Sequence, residues 1–270
     1  PSKNFQDTDL SMGLVKSNGI HLNCQILGGL AGPSDMPRLV MCHGLVFGSI
    51  ATWYFTAAAK LAERFEVILY DQRGHGKSDL TPTGYDLDTL ACDLEGLLES
   101  LPAAGSAAPV TLVGHSYGAL VALNYALKHS HQVAKLVLID APLPASRYVY
   151  PSMADAGDCD TFAAFIPDDI RQQLVPEGRA AKRLQERLEY LFMKSSLRQD
   201  VRESGDIDDA TLSSLDIPVL CLYGRNSDCL EAGQRLARVL PHVQLKLLDC
   251  GHYIPLEAPQ EMTDCLDAFL

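Results

Sequence analysis

What this chain lacks narrows its reading before any motif is considered. Its eight cysteines (Cys24, Cys42, Cys92, Cys159, Cys221, Cys229, Cys250 and Cys265) include no C-x-x-C pair. Neither a zinc knuckle nor a dithiol redox centre is therefore spelled out, and the expectation is no metal and no cofactor. Several cysteines sit inside apolar runs such as "LVMCHG" and "PVLCLYG", where they read as small buried hydrophobes in a reducing compartment. No apolar run approaches the roughly 18 residues of a membrane helix, and no charged-then-apolar leader opens the sequence. Basic residues are scarce: 22 Lys and Arg stand against 34 Asp and Glu, a formal charge of −12. That balance argues against nucleic acid or an anionic membrane as the main partner, because both demand a basic footprint. The expectation is a cytoplasmic protein with a small-molecule substrate. Its oligomeric state, monomer or homodimer, stays open.

What is present is an alternation. The runs "LVMCH" (39–43), "EVILYD" (66–71), "VTLVGH" (110–115), "KLVLID" (135–140), "PVLCLYG" (218–224) and "QLKLLD" (244–249) are short and rich in Val, Leu and Ile. Continuous apolar runs of this length fit strands buried on both faces of a parallel sheet. Helix-period segments lie between them, at about 51–64, 86–101, 117–130, 229–240 and 259–269. The order implies an α/β fold with a mostly parallel central sheet flanked by helices. "HLNCQIL" (21–27) reads as part of an antiparallel hairpin leading in, and "PAAGSAAP" (102–109) as a surface loop.

One stretch breaks the rhythm. Residues 141–215 separate two core strands, supply no strand, and carry two helical patterns, "TFAAFIPDDIRQQL" and "RAAKRLQERLEYLFMKSSL". That is far longer than an ordinary αβ connection. The segment reads as a helical cap inserted over the carboxyl edge of the sheet, where ligands bind in such folds. The core is then 1–140 with 216–270. A structural excursion packed on a flank is the plainer alternative.

The candidate chemistry centres on "GHSYG" (114–118). Ser116 follows an apolar strand and opens the helix pattern "YGALVALNYALKHS", the strand–turn–helix setting of a nucleophile elbow. Gly114 and Gly118 fit there because the turn is sharp and its neighbours are close. The backbone N–H of Tyr117 is aimed at a developing oxyanion, and Leu45 N–H in "HGLVFGS" (43–49) is the candidate partner donor. A serine hydroxyl needs a base, and His252 in "LLDCGHYIPLEAP" lies just past the last strand. His129, His131 and His242 sit at a helix end or turn and read as solvated, and His115 reads as structural. The acid that would orient His252 is expected to be Asp228, in the loop after 218–224; Asp140, ending the preceding strand, is the alternative.

These residues, in this order, resemble the α/β-hydrolase superfamily, more narrowly its capped serine-hydrolase branch. The resemblance covers nearly all of the chain. It rests on "HGLVFGS", "DQRGHGKSD" (71–79), "GHSYG", "GRNSD" and "GHYIPLEAP". The stretch 71–79 is similar to the family's D-x-R-G-x-G-x-S turn, with Asp71, Arg73, Gly74, Gly76 and Ser78 matching in an architectural role. One departure stands out: relatives commonly place the acid three residues after the strand-ending glycine, whereas Asp228 lies four after Gly224. Ser116 sets the chain apart from the aspartate-nucleophile members, the epoxide hydrolases and haloalkane dehalogenases.

The resemblance implies a cofactor-independent hydrolase of the carboxylesterase, thioesterase, lactonase or carbon–carbon hydrolase kind. Non-hydrolytic members, small-molecule receptors or cofactor-free oxygenases, are the alternative. A pocket of apolar character is expected from Tyr148, Tyr150, Phe162 and Phe165 in the cap, with His43 and Trp53 from the core. His43 equally fits a role bracing its own loop, and Trp53 equally fits a place beneath the pocket.

Overall fold

The computed structural model describes residues 13–28, 36–101, 108–156, 158, 161, 164, 166–174 and 178–270. Eight strands form one sheet in the order β1-β2-β4-β3-β5-β6-β7-β8. They are β1 (Leu14–Ser17), β2 (Ile20–Leu27), β3 (Arg38–Cys42), β4 (Glu66–Tyr70), β5 (Val110–His115), β6 (Val133–Ile139), β7 (Val219–Gly224) and β8 (Val243–Leu248). The β1–β2 hairpin is antiparallel and β2 meets β4 antiparallel, while every other pairing is parallel.

The apolar runs are explained by burial on both faces. In β3, Val40 and Cys42 join one core while Leu39 and Met41 join another; in β6, Leu136 and Leu138 oppose Val137 and Ile139. Helices Leu87–Ser100, Tyr117–Lys128 and Leu230–Val239 cover the first face through Leu94, Leu120 and Leu236. The opposite face takes Trp53, Leu61, Met262 and Leu266 from helical segments before β4 and at the chain's end. β8 departs from the expected pattern. It is an edge strand whose residues from Val243 to Leu247 alternate between partly buried and exposed. An edge has one neighbouring strand and less cover, so polar Gln244 and Lys246 are tolerated between its apolar residues. The helix expected over 51–64 is also interrupted, by a π turn at Tyr54–Ala58.

Between β6 and β7 the described residues contribute only helices, namely Ala145–Tyr148, Tyr150–Asp155, Asp168–Leu174, Gly178–Met193, Leu197–Glu203 and Asp209–Ser213. Helix Gly178–Met193 is amphipathic, with Leu188, Leu191 and Phe192 buried. Its Arg187 donates to the carbonyls of Gly74 (3.2 Å) and Ser78 (2.9 Å). Those carbonyls belong to the 71–79 turn, which is itself tied down. The Asp71 carboxylate accepts from Ile50 N (2.8 Å), Asn23 Nδ2 (2.7 Å) and Lys77 N (2.9 Å), and Arg73 forms a buried bidentate pair with Asp93 (2.7 and 2.9 Å). The turn therefore joins the hairpin, the helix after β3 and the β6–β7 segment around one buried carboxylate.

Close approach explains the later glycine of the elbow. A Cβ on Gly118 would collide with the backbone carbonyls of Cys42 and His43, neither of which is the end of a flexible side chain. Gly118→Ala is expected to cost about 1–3 kcal/mol, seen as a Tm several degrees lower in a thermal scan. Gly205→Ala is the comparison, since nothing lies within 4 Å of a Cβ there. Equal Tm values for the two variants would refute the packing argument.

Candidate active site

The ends of two strands, β5 and β6, and the loops after β3, β7 and β8 meet at the carboxyl edge of the sheet. Ser116 sits between β5 and helix Tyr117–Lys128 with φ 54°, ψ −128°. Its N–H is held by Ile139 O at 2.9 Å. A serine in the left-handed region is strained, and here the fold imposes the strain that raises Oγ above the sheet. His252 Nε2 lies 2.9 Å from Ser116 Oγ. His252 Nδ1 lies 2.7 Å from Asp140 Oδ2.

The expected acid, Asp228, makes no hydrogen bond to His252. It is exposed on the cavity wall, and Asp140, fully buried, stands in that place. The reason is geometric. Asp140 follows β6, also at positive φ (48°), with its N–H bonded to Leu222 O at 2.8 Å. β6 lies between β5 and β7, so its end points at the gap that His252 fills. The position three residues after Gly224 is Ser227, whose hydroxyl donates to Asp140 Oδ2 at 2.5 Å, while Gly224 N–H donates to Oδ1 at 2.9 Å. The loop after β7 thus supports the carboxylate without supplying it. Ser227 was missed in the sequence, although the one-residue offset of Asp228 marked its position.

The His252 loop is braced from two sides. Glu257 accepts from Gly251 N (2.6 Å) and Tyr253 N (2.8 Å). His115 Nε2 lies 2.9 Å from His252 O, so the carbonyl accepts and His115 is the neutral tautomer protonated at Nε2. Burial is the largest single influence on His252 and disfavours its imidazolium, but the hydrogen bond to Asp140, the contact with Cys229 and the charges of both groups together outweigh it. The net direction is upward from the ordinary histidine value.

The loop after β3 faces Ser116. Gly44 lies against it, and Leu45 and Tyr117 both line the cavity. Their N–H groups make no hydrogen bond among the described residues. The next N–H, of Val46, is taken by His75 Nε2 at 2.9 Å. His75 Nδ1 in turn donates to Arg73 O at 2.7 Å, so the 71–79 turn fixes the loop. This link from His75 had no signal in the sequence beyond the glycines around it.

Several expected pocket residues lie elsewhere. His43 is fully buried and does not line the cavity; its Nε2 accepts from Gln72 N (2.9 Å) and its Nδ1 donates to Gly44 O (2.7 Å). It braces the loop. Trp53 is also fully buried, in the core beneath the face that Met262 and Leu266 cover. Tyr150 packs against the other core and is absent from the cavity wall. Each points away because its backbone position turns the side chain into a core, which residue type alone does not reveal. Tyr148 does line the cavity. Phe162 and Phe165 fall outside the described residues, as do Cys159 and most of the 102–109 loop.

The cavity measures about 210 Å³ and is walled by Leu45, Phe47, Tyr148, Val149, Ile166, Leu174 and Leu256 around Ser116 and His252. The β6–β7 segment therefore supplies one side of it. A larger cleft of about 1360 Å³ runs beside it, between helix Gly178–Met193 and the 71–79 turn, and shares Phe47, Leu174 and Leu256. No helix among the described residues is long and apolar enough to cross a membrane.

A strained serine on a strand–helix turn, a histidine from the last strand's loop and a mostly parallel sheet define the α/β-hydrolase class. Residues 39–264 match the model of the alpha/beta hydrolase family, and the chain belongs to that family. It is 27% identical to the sn-1-specific diacylglycerol lipase ABHD11 of Mus musculus, over 89% of this chain and 83% of the mouse protein. It is 26% identical to a soluble epoxide hydrolase of a Corynebacterium species, over 84% and 87% of the respective chains. The enol-lactonase from Burkholderia xenovorans superposes with a TM-score of 0.76 at 19% identity, covering 95% of this chain and 98% of the lactonase.

Proposed function

We propose that this chain is a cofactor-independent serine hydrolase in which Ser116 attacks, His252 takes and returns the proton, and Asp140 holds the histidine. The observation that carries this reading is the unbroken hydrogen-bonded line Asp140–His252–Ser116. Asp140 fixes the proton on Nδ1 and leaves the Nε2 lone pair facing the hydroxyl. A substrate carbonyl seated against the Leu45 and Tyr117 N–H groups meets two preorganised donors where negative charge develops. The acyl-enzyme then forms as the leaving group takes the proton from His252, and a water activated by the same imidazole releases the acid.

Residues 141–215 act as a cap over a core of 1–140 and 216–270. The apolar walls favour ester, thioester, lactone or activated carbon–carbon substrates of largely apolar character. The mouse relative is named for lipase activity and the Burkholderia protein for lactonase activity, which accords with an acyl–oxygen bond. A serine at the elbow speaks against the aspartate-nucleophile chemistry expected of epoxide hydrolases.

A fluorophosphonate probe is expected to label wild-type protein at Ser116 and to leave Ser116→Ala unlabelled. Turnover of a panel of medium-length p-nitrophenyl esters should vanish with the label. Ester turnover that persists in Ser116→Ala, or an unlabelled wild type beside a labelled control esterase, would sink the proposal.

A further inference from the structure

The Asp140–His252 pair has a third neighbour that the proposed hydrolysis does not use. Cys229 Sγ lies 3.9 Å from His252 Nδ1, and one donor atom each from Asp140, Cys229 and His252 lies within 4.8 Å of the other two. The three come from separate segments: the end of β6, the loop after β7 and the loop after β8. Chain spacing therefore hides the cluster, and the lack of a C-x-x-C pair says nothing about it. Cys229 and His252 both line the catalytic cavity, so a small ion arriving there meets the thiol and the imidazole from the open side.

We propose that Asp140, Cys229 and His252 form an inhibitory site for a thiophilic divalent cation such as Zn²⁺. A thiolate, an imidazole nitrogen and a carboxylate are the donor set that zinc selects, leaving a fourth position for water. Tetrahedral zinc ligands lie about 3.3–3.8 Å apart, so the Asp140–His252 contact opens by less than about 1 Å and the Cys229–His252 contact closes slightly. Two anionic ligands neutralise the ion, which suits a site whose carboxylate is fully buried.

The proton balance gives the inhibition. The Cys229 thiol releases its proton to solvent and its sulfur binds the metal. His252 binds through Nδ1, so the proton formerly on Nδ1 moves to Nε2. An Nε2 that carries a proton cannot accept one from Ser116, and the serine is left unactivated. The inhibitory consequence rests on the serine-hydrolase reading, whereas the metal binding does not.

Two measurements separate them. Cobalt(II), a coloured stand-in for zinc, should give a thiolate-to-metal charge-transfer band with wild-type protein. Cys229→Ser should lose that band, and the control Cys92→Ser, at an exposed thiol, should keep it. In parallel, Zn²⁺ should slow fluorophosphonate labelling of Ser116, with EDTA restoring it. Each variant is compared with its own metal-free rate. Loss of an outer-shell partner costs a metal site about 10–100-fold in affinity; loss of a ligand should cost at least as much. Cys229→Ser should therefore need at least about tenfold more zinc for the same slowing. Wild-type labelling unaffected by zinc, or slowed equally in Cys229→Ser with no cobalt band in wild type, would overturn the proposal. Absent labelling without metal would instead count against the hydrolase reading, and the cobalt band would still decide the site.

Discussion

Asp140→Asn is expected to lower kcat/KM on an ester substrate by about a thousandfold to ten-thousandfold, while Asp228→Asn leaves it unchanged within a small factor. Asp140 Oδ1 accepts from Gly224 N, and Oδ2 accepts from Ser227 Oγ and faces His252 Nδ1. In the asparagine variant the amide oxygen keeps the Gly224 bond and the amide nitrogen faces His252. The imidazole then turns its lone pair to Nδ1 and carries its proton on Nε2, the wrong nitrogen for a base. Ser227 can rotate to accept, so the fold is preserved and Tm should move little. Asp228 makes no such bond, and its loss removes only an exposed charge from the cavity wall.

The same pair sets a pH signature. Because Asp140 raises the His252 pKa, the imidazolium persists to higher pH, and the neutral base is available only above it. The acidic limb of kcat/KM in wild type should lie above the ordinary histidine value of about 6.5, and the residual activity of Asp140→Asn should show that limb at lower pH. A large loss in Asp228→Asn with near-normal Asp140→Asn would move the acid to Asp228.

The other large effect is on stability in acid. Burial pushes His75 and His115 down to about 3, with the neighbouring His43 and His252 rings adding to it respectively, and burial also lowers His43. All three are neutral in the fold and engaged as single tautomers in backbone contacts. A histidine whose folded pKa is depressed contributes stability that is present above its unfolded pKa, about 6.5, and lost as pH falls toward the folded value. The unfolded chain binds protons in that window and the native chain does not. Each factor of ten in proton affinity is worth about 1.4 kcal/mol. Two shifts of this size therefore amount to several kcal/mol, a large part of a typical stability of about 5–15 kcal/mol.

His252 does not oppose this. Its folded pKa is raised, so below 6.5 it is protonated in both states and its contribution is constant. Urea midpoints measured from pH 7 to pH 4 should fall steadily. His75→Gln, which lacks the titrating ring, should flatten the slope even where it lowers the midpoint at pH 7. A midpoint independent of pH over that range would refute the account.

How much of this was legible depends on whether a feature is local. The strands of β3 to β7 could be read because a sheet covered on both faces leaves unbroken apolar runs. β8 was found by its residues but not by its environment, since an edge strand differs from a central one only through its neighbours. The elbow could be read because glycine is required where Gly118 meets the carbonyls of Cys42 and His43, and His252 because it follows the last strand. Pocket walls were poorly legible. Trp53, His43 and Tyr150 are residue types that line sites as readily as they fill cores, and only the direction of the side chain separates the two.

The chain's own pattern thus determined the layers of helix and sheet, the placement of Ser116 on a strained turn and the histidine that answers it. Periodicity, turn chemistry and chain order are properties of neighbouring residues. The tertiary structure decided which aspartate meets His252. Counting along the loop after β7 led to Asp228, but strand order sets β6 beside β5 and gives the place to Asp140, with Ser227 in support. It alone brought Cys229 to the same imidazole, because adjacency between the ends of parallel strands is made by the sheet and leaves no spacing in the sequence.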